Sequence, residues 1–244
     1  MTTDRSPHPY WRIAMLRAPL CLLGSAALLA AGSSHTATIL IDYDDGVTNG
    51  IHEAAVSNGG FESTPGNVNT PNADGWVPLL EPVIQISPNL PSPVGGNNAV
   101  VGGDANQDLS FGRSTGHTLA LGDIFTAEYD WRDAFGWNPG ETIGLILFYT
   151  ANNLIDGTHT TLFTFNSGSE ENNNQWETES FGPTAPLADA SAAGKTLFVA
   201  FEGANLSGDA FARIDNVFLQ VVPEPGSLAL VALGSILMLR QRRI

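Results

Sequence analysis

Apolar and polar residues alternate along much of the chain between its two hydrophobic ends. The clearest case is Asp123–Trp131, where every second residue from Phe125 onward is apolar and the residues between are polar. Such alternation is typical of a β-strand with one buried face. Similar runs occur at Thr38–Tyr43, Ala99–Val101, Leu109–Phe111, Ile143–Tyr149, Thr160–Phe165, Glu177–Phe181, Thr196–Glu202 and Phe211–Val221. No long stretch between the ends has a convincing helical pattern, so this part of the chain is predicted to be all-β.

Clusters of Gly, Asn, Pro and Ser separate these runs, as at Pro65–Asn67 and Asn138–Gly140. Many short strands with frequent turn signals predict a β-sandwich, and a segment of this size suits a jelly roll. We therefore predict a single jelly-roll domain at residues 38–221. Within it, Thr64–Pro93 is rich in proline and poor in alternation, which predicts one long ordered loop.

The N-terminal segment has the layout of a secretory signal peptide. Arg12 and Arg17 precede an apolar run at Leu20–Ala31, and small residues follow it. We assign residues 1–37 to this signal, with cleavage between Ala31 and Ala37. The alternative is a retained N-terminal anchor helix, but the run is short compared with the roughly 20 apolar residues of a membrane span.

The charge of the segment between the ends excludes one class of partner. The whole chain has 10 Lys and Arg against 25 Asp and Glu, and the two ends contain six of the basic and two of the acidic residues. Four basic and 23 acidic residues remain, for a net charge of −19. Such a surface repels phosphate backbones, so nucleic-acid binding is not expected. The only cysteine, Cys21, would leave with the signal peptide, so no disulfide is expected in the domain.

The C-terminal segment, residues 222–244, has three parts in a fixed order. Val222–Gly226 contains two prolines around a glutamate, Ser227–Leu239 is almost wholly apolar, and Arg240, Arg242 and Arg243 lie at the end. The prolines favour an extended segment, and the apolar run predicts a helix that enters the bilayer. Arginines after such a run stay on the cytoplasmic side of a membrane, so the domain is expected outside.

This tail resembles the PEP-CTERM sorting signal, which exosortase-type transpeptidases recognise in Gram-negative bacteria that make extracellular polysaccharide. The resemblance implies that Pro223, Glu224 and Pro225 are the recognition and processing element and that the following residues are removed. It implies an exported protein of the cell envelope, outer surface or extracellular matrix, held transiently in the inner membrane. An ordinary single-span anchor is the alternative, although Ser227–Leu239 is short for a stable span.

Two short segments of the domain resemble the first and last strands of jelly-roll carbohydrate-binding modules and galactose-binding-like domains. They are Asn58–Glu62, followed later by Gly75-Trp76, and Phe211–Leu219. In that family an acidic residue from each end strand often helps to hold a structural calcium ion, which would correspond here to Glu62 and Asp215. Calcium takes six to eight oxygen ligands and would neutralise neighbouring carboxylates.

A second acidic segment, Asp42–Gly46, invites a calcium-loop interpretation. Its spacing does not fit an EF-hand and no glutamate follows at the required distance, so a polar turn is expected. Asp104, Asn106 and Asp108 form another oxygen-rich group with equally poor spacing.

Tryptophans are the candidates for stacking on sugar rings. Trp131 shares a face with Phe125 and Tyr129 and is predicted to lie in the core. Trp137 and Trp176 lie in polar, turn-like sequence and are the better candidates for an exposed ring that stacks on a ligand.

The sequence contains no nucleophile motif and no pair of histidines with zinc-ligand spacing, so the chain is not predicted to be an enzyme. The principal hypothesis is a structural or adhesive component of the extracellular polymer matrix. A dedicated carbohydrate-binding module is the alternative, and a secreted glycan hydrolase or lyase is a third hypothesis, since glycoside cleavage needs only two well-placed carboxylates.

Overall fold

Thirteen β-strands and no helix form the part of the chain that the computed structural model describes, namely residues 36–46, 52, 59–90, 94–103, 108–168, 174–206 and 208–223. In chain order the strands are β1 Thr38–Ile41, β2 Val68–Thr70, β3 Val77–Pro78, β4 Ile84–Ser87, β5 Asn98–Gly103, β6 Asp108–Leu109, β7 Phe111–Thr118, β8 Ile124–Phe135, β9 Thr142–Thr150, β10 His159–Asn166, β11 Glu177–Phe181, β12 Thr196–Ala204 and β13 Ala210–Val222. The predicted all-β fold class is confirmed.

The strands form two sheets. The larger sheet has eight strands in the order β11-β8-β13-β5-β4-β2, with β1 added on β13 and β6 on β5. The smaller sheet has five strands in the order β10-β9-β12-β7-β3. All pairings are antiparallel, and strands distant in sequence are neighbours in both sheets. This arrangement is the sandwich architecture expected of a jelly roll.

The core lies between the sheets and follows the alternation of the sequence. In β8 the side chains of Phe125, Tyr129 and Trp131 are 0%, 0% and 1% exposed, as the pattern predicted. They join a cluster with aromatic rings from other strands and loops, whose nearest centroids lie 5.1–5.9 Å apart. Aromatic contacts of this geometry stabilise a core beyond simple area burial.

The region Thr64–Pro93 is not one loop, so that prediction was wrong. It contains β2, β3 and β4, and β4 pairs with both β2 and β5. In β4 the residues Ile84 and Ile86 are buried on the core side while Gln85 is exposed. These strands are two to four residues long, which is too short for alternation to stand out among prolines.

Strand β7 also differs from the prediction, which ended at Phe111. It continues to Thr118 through small and polar residues that give no apolar alternation. Its partner β12 supplies the register, from Phe111 opposite Phe201 to Thr118 opposite Thr196. Pairing with a strongly apolar neighbour therefore forms this strand, and its own pattern does not reveal it.

Candidate functional site

The face of the larger sheet that points away from the core is polar, and we call it the outer face. In β13 the side chains of Ala212 and Ile214 are buried in the core, so Arg213 between them points to the outer face. In β4 the same alternation sends Gln85 outward. A β-sandwich strand usually has one polar face, but the groups on this one are large and close together.

Strand register places the outer-face side chains in rows. Asn69 of β2 is opposite Gln85 of β4, while Arg213 of β13 is opposite Val100 of β5 and Arg132 of β8. Two residues further along each strand, Thr178 and Asp215 both lie opposite Asp130, and Asn98 lies opposite Ser87. Residues distant in the sequence therefore meet on one surface.

Part of this surface is a groove of about 340 Å³. Its lining residues are Asn67, Val68, Asn69, Gln85, Ile86, Ser87, Asn89 and Arg213. Amide, hydroxyl and guanidinium groups dominate the lining and supply both hydrogen-bond donors and acceptors. Sugar hydroxyls require this combination, because each hydroxyl both donates and accepts.

Trp176 and the loop after β4 lie over the same face. The Leu90 carbonyl oxygen accepts a hydrogen bond from Trp176 Nε1 at 3.1 Å and another from Asn98 Nδ2 at 3.4 Å. Because Trp176 precedes the edge strand β11 and Asn98 belongs to β5, the indole must extend across the sheet toward the loop. Trp176 is partly exposed, so it keeps the accessible ring surface that stacking requires.

Trp137, the other predicted stacking residue, is 4% exposed, and the prediction that it would be exposed was wrong. Its ring centroid lies 5.7 Å from that of Trp131, within the core cluster. The turn that contains it folds back at Gly136, whose φ is +69°. The polar residues around Trp137 therefore indicate the turn, and they do not indicate whether the Trp137 ring is exposed.

The two acidic side chains of β8 on the outer face are held by their neighbours. Asp130 accepts hydrogen bonds from Thr178 Oγ1 at 2.6 Å and from Asn216 Nδ2 at 2.7 Å. Glu128 accepts from Tyr43 Oη at 3.3 Å and from Ser180 Oγ at 2.8 Å. Burial raises the pKa of Asp130, and the nearby charge of Glu128 raises it further, while the two hydrogen bonds act in the opposite direction.

The predicted calcium ligands lie near each other. A Cβ atom placed on Gly60 would be 3.7 Å from Glu62 Cγ and 3.9 Å from Asp215 Oδ1, so the two side chains are less than about 8 Å apart. Glu62 is exposed and its Oε1 accepts hydrogen bonds from the amides of Gly96 and Asn97, at 2.5 and 2.9 Å. Asp215 is fully buried. Among the described residues, no group of three or more His, Cys, Asp or Glu side chains is arranged to hold a metal ion.

Within Asp42–Gly46, only the end of the segment has the expected polar turn. The amide of Gly46 donates to Asp44 Oδ1 at 2.9 Å, which is the side-chain to backbone bond of an Asx turn. Asp42 is buried, and its Oδ1 accepts a bond from the amide of Tyr43 at 2.9 Å. Asp104 and Asn106, and the side chain of Asp108, lie outside the described residues.

The smaller sheet has a second groove, of about 430 Å³, lined by Pro78, Leu79, Leu80, Ile155, Asp156, Gly157, His159 and Glu202. It borders a small apolar cluster on the face of that sheet that points away from the core. In this cluster the ring centroids of Phe148 and Phe198 are 5.5 Å apart. Its lining is more apolar and has fewer hydrogen-bonding groups than the outer-face groove. The outer face is therefore the stronger candidate for a polar ligand.

The fold and the groove together define a β-sandwich domain with a polar groove on one sheet. At the end of the chain, residues 221–243 match the model of the PEP-CTERM protein-sorting motif. This confirms the sorting motif that the sequence predicted, and the matched range includes Pro223–Pro225 and residues 240–243. The residues after Pro223 lie outside the described part, so the predicted apolar helix does too, as does the predicted signal peptide up to residue 35. Within the described ranges no helix is long and apolar enough to cross a membrane.

Solved structures with a similar fold include a cyclase from Fischerella sp. TAU that is 17% identical to this chain. The alignment covers 78% of this chain and 99% of the cyclase, with a TM-score of 0.51. An apo form cyclase from Fischerella sp. is 15% identical, covers 77% and 98%, and has a TM-score of 0.51. The CBM22-1 xylan-binding domain from Paenibacillus barcinonensis Xyn10C is 12% identical, covers 67% and 92%, and has a TM-score of 0.43. Identities this low concern the fold alone. A comparison with curated proteins found no match.

Proposed function

We propose that this is an exported, non-catalytic protein that adheres to extracellular polysaccharide through the outer face of its larger sheet. The observation that supports this proposal is the groove in which residues of the three strands β2, β4 and β13 and of the loop after β4 converge, beside the partly exposed Trp176. Carbohydrate binding commonly combines a stacking ring with amide and charged hydrogen-bonding groups. A structural or adhesive role in the polymer matrix would follow from this binding and from the sorting motif.

The hydrogen bonding of the acidic residues supports a structural role for them. Both oxygens of Asp130 and both of Glu128 accept a bond from a neighbouring side chain of the protein, which fixes the two carboxylates on the outer face. The similar cyclases add no argument for catalysis, because at 15–17% identity their similarity concerns the fold.

A glycan array tests the proposal directly. The purified full-length protein should bind a subset of polysaccharides, and the Trp176→Ala variant should lose that binding while its melting temperature falls by only about 2–4 °C. No binding above background by correctly folded protein would reject the carbohydrate-binding role. Shortening of any bound polymer during long incubation would instead favour the hydrolase or lyase hypothesis.

Sorting through the tail is the second half of the proposal. An exosortase-type enzyme would recognise Pro223, Glu224 and Pro225 and remove the following residues, after transient engagement of the inner membrane by the apolar run and its terminal arginines. The match of residues 221–243 to the sorting motif supports this step. The mature protein would then reside on the outer surface or in the matrix.

A structural calcium ion shared by Glu62 and Asp215 is a further part of the proposal. Their proximity beside Gly60 supports it, since a cation would relieve the repulsion between them. Chelation should lower the melting temperature of the full-length protein, and Asp215→Ala should remove that sensitivity. A melting curve unchanged by chelator would reject the calcium site.

A further inference from the structure

The positive charges of the domain are unusually placed. Residues 38–221 contain four basic side chains, namely Arg113, Arg132, Lys195 and Arg213. Two of these, Arg132 and Arg213, are direct cross-strand partners on the outer face. Like charges directly opposite each other destabilise a strand pair. Half of the positive charge of a very acidic domain is therefore concentrated at a place where it does not stabilise the folded state.

The two guanidinium groups are also poorly satisfied. Neither forms an ion pair with a carboxylate of the described residues, and the side chain of Arg132 forms no hydrogen bond with them. Arg213 donates one bond, from Nη1 to Asn98 Oδ1 at 2.9 Å. The Nε atoms of both arginines are buried without a hydrogen-bond acceptor. Burial of Arg213 and the neighbouring charge of Arg132 lower the pKa of Arg213.

A carboxylate is the ligand that would satisfy both groups. Guanidinium groups present planar, forked donors that match the two oxygens of a carboxylate, and such charge-assisted bonds are stronger than neutral ones. Arg213 lines the outer-face groove and Arg132 is its cross-strand partner, so the remaining donors on the terminal nitrogens of the pair lie where a polysaccharide is proposed to bind. In polysaccharides the common source of a carboxylate is a uronic acid.

We infer that the Arg132–Arg213 pair recognises the carboxylate of a uronic acid, so that the outer face selects uronate-bearing polysaccharides over neutral ones. This inference rests on the proposed polysaccharide binding and specifies its substrate class. Two acidic residues, Asp130 and Asp215, lie two positions away from Arg132 and Arg213 on the same strands. The net charge of −19 repels a dense polyanion. The best ligand is therefore a mostly neutral chain with occasional uronate groups.

Two forms of one polymer provide the test. Glucuronoxylan has isolated glucuronate side groups, and reduction of its carboxyl groups gives a neutral polymer with the same backbone. The full-length protein should bind glucuronoxylan about tenfold or more tightly than the reduced form, as expected for the loss of a charge-assisted contact. Polygalacturonate, which is densely charged, should bind more weakly than glucuronoxylan.

Single substitutions test whether the two arginines cause the preference for glucuronoxylan. Arg132→Gln and Arg213→Gln should each weaken binding of glucuronoxylan by a much larger factor than binding of the reduced polymer. Lys195→Gln is the matched control, because it removes one positive charge just before β12 of the other sheet, where Lys195 Nζ donates to the Ala151 carbonyl. It should bind like the original protein. The melting temperature of Arg132→Gln should not fall, because the substitution removes a like-charge contact.

The outcomes separate the inference from the proposed function. Equal binding of glucuronoxylan and its reduced form would overturn the uronate inference and leave polysaccharide binding in place. Equal weakening of both polymers by Arg132→Gln would also overturn it, since the pair would then contact neutral sugar groups. Binding of no polymer on the glycan array or in this test would reject the proposed function and the inference together.

Discussion

The tryptophans near the ends of β8 and β11 have different surroundings. Trp137 packs on Trp131 in the core and is 4% exposed. Trp176 is partly exposed and fixed by one hydrogen bond to the Leu90 carbonyl. Trp137→Ala should therefore destabilise the fold by about 3–5 kcal/mol, the usual cost of deleting a buried aromatic ring. Denaturant unfolding of the full-length protein measures this cost.

Trp176→Ala is the matched comparison at the same scale. We expect it to change the unfolding free energy by about 1 kcal/mol, the value of one hydrogen bond, while it removes polysaccharide binding. A large loss of stability in Trp176→Ala, or unchanged stability in Trp137→Ala, would contradict the assigned surroundings of the two rings.

Asp130 provides a pH prediction. Burial raises its pKa in the folded state above the unfolded value, so the folded state binds more protons between these two values. The stability of the original protein relative to Asp130→Asn should therefore fall as pH rises from the ordinary carboxyl range through the folded pKa, and then become constant. Unfolding free energies of both proteins at a series of pH values measure this difference. A relative stability that rises with pH would contradict the burial of this carboxyl group.

Single-residue roles were only partly accessible from sequence. The sequence predicted the proximity of neither Arg132 and Arg213 nor Gln85 and Asn69, because register between distant strands decides which side chains meet. In β13 that register shifts twice, between Phe211 and Ala212 and between Asp215 and Phe218. A shift of one residue would send every following side chain to the other face. The one feature of the sequence that could have pointed to this surface was the presence of arginines in a very acidic domain.

Among the elements, strands with a strong apolar pattern were predictable, and the short strands within Thr64–Pro93 were not. Strands β8, β9, β12 and β13 have 9 to 13 residues, with clear alternation in β8 and nearly continuous apolar runs in β9 and β12. Strands β2, β3 and β4 have two to four residues and depend on partners for their formation. Two of these short strands, β2 and β4, supply groove residues, so the sequence also missed that side of the candidate site.

The turn after β8 gives a prediction at the scale of an element. Gly136 has a φ of +69°, and a Cβ atom there would overlap the Asp209 carbonyl oxygen. Gly136→Ala should destabilise the fold by about 3 kcal/mol, because backbone must move to relieve the overlap. Gly140, in the same turn, has a φ of +93° with nothing within 4 Å of an added Cβ. Gly140→Ala should cost only about 1 kcal/mol of backbone strain.

Thermal or denaturant unfolding of the two glycine variants checks this difference. Equal destabilisation would show that backbone strain alone decides both positions. It would contradict close packing of the β8 turn against the segment before β13.

For the whole molecule, the sorting motif leads to a prediction about processing. In cells with the exosortase-type enzyme, the mature protein should end near Pro223–Pro225, and in cells without it the residues after Pro225 should remain attached. Mass spectrometry of the mature C-terminus and fractionation of the cells measure both results. An intact Ile244 terminus on the exported protein in both strains would favour an ordinary membrane anchor.

The central claim is that the outer face of the larger sheet binds polysaccharide. Hydrogen–deuterium exchange of the full-length protein, with and without a polysaccharide selected on the glycan array, tests it most directly. Added protection should appear in peptides that cover residues 67–69, 84–90 and 211–215, which supply the groove and the loop above it. It should also appear in residues 128–133 and 174–178, which supply Arg132 and Trp176 beside the groove. Protection confined to the smaller sheet, around residues 146–159 and 198–202, would place the binding surface on the other side of the sandwich and contradict the claim.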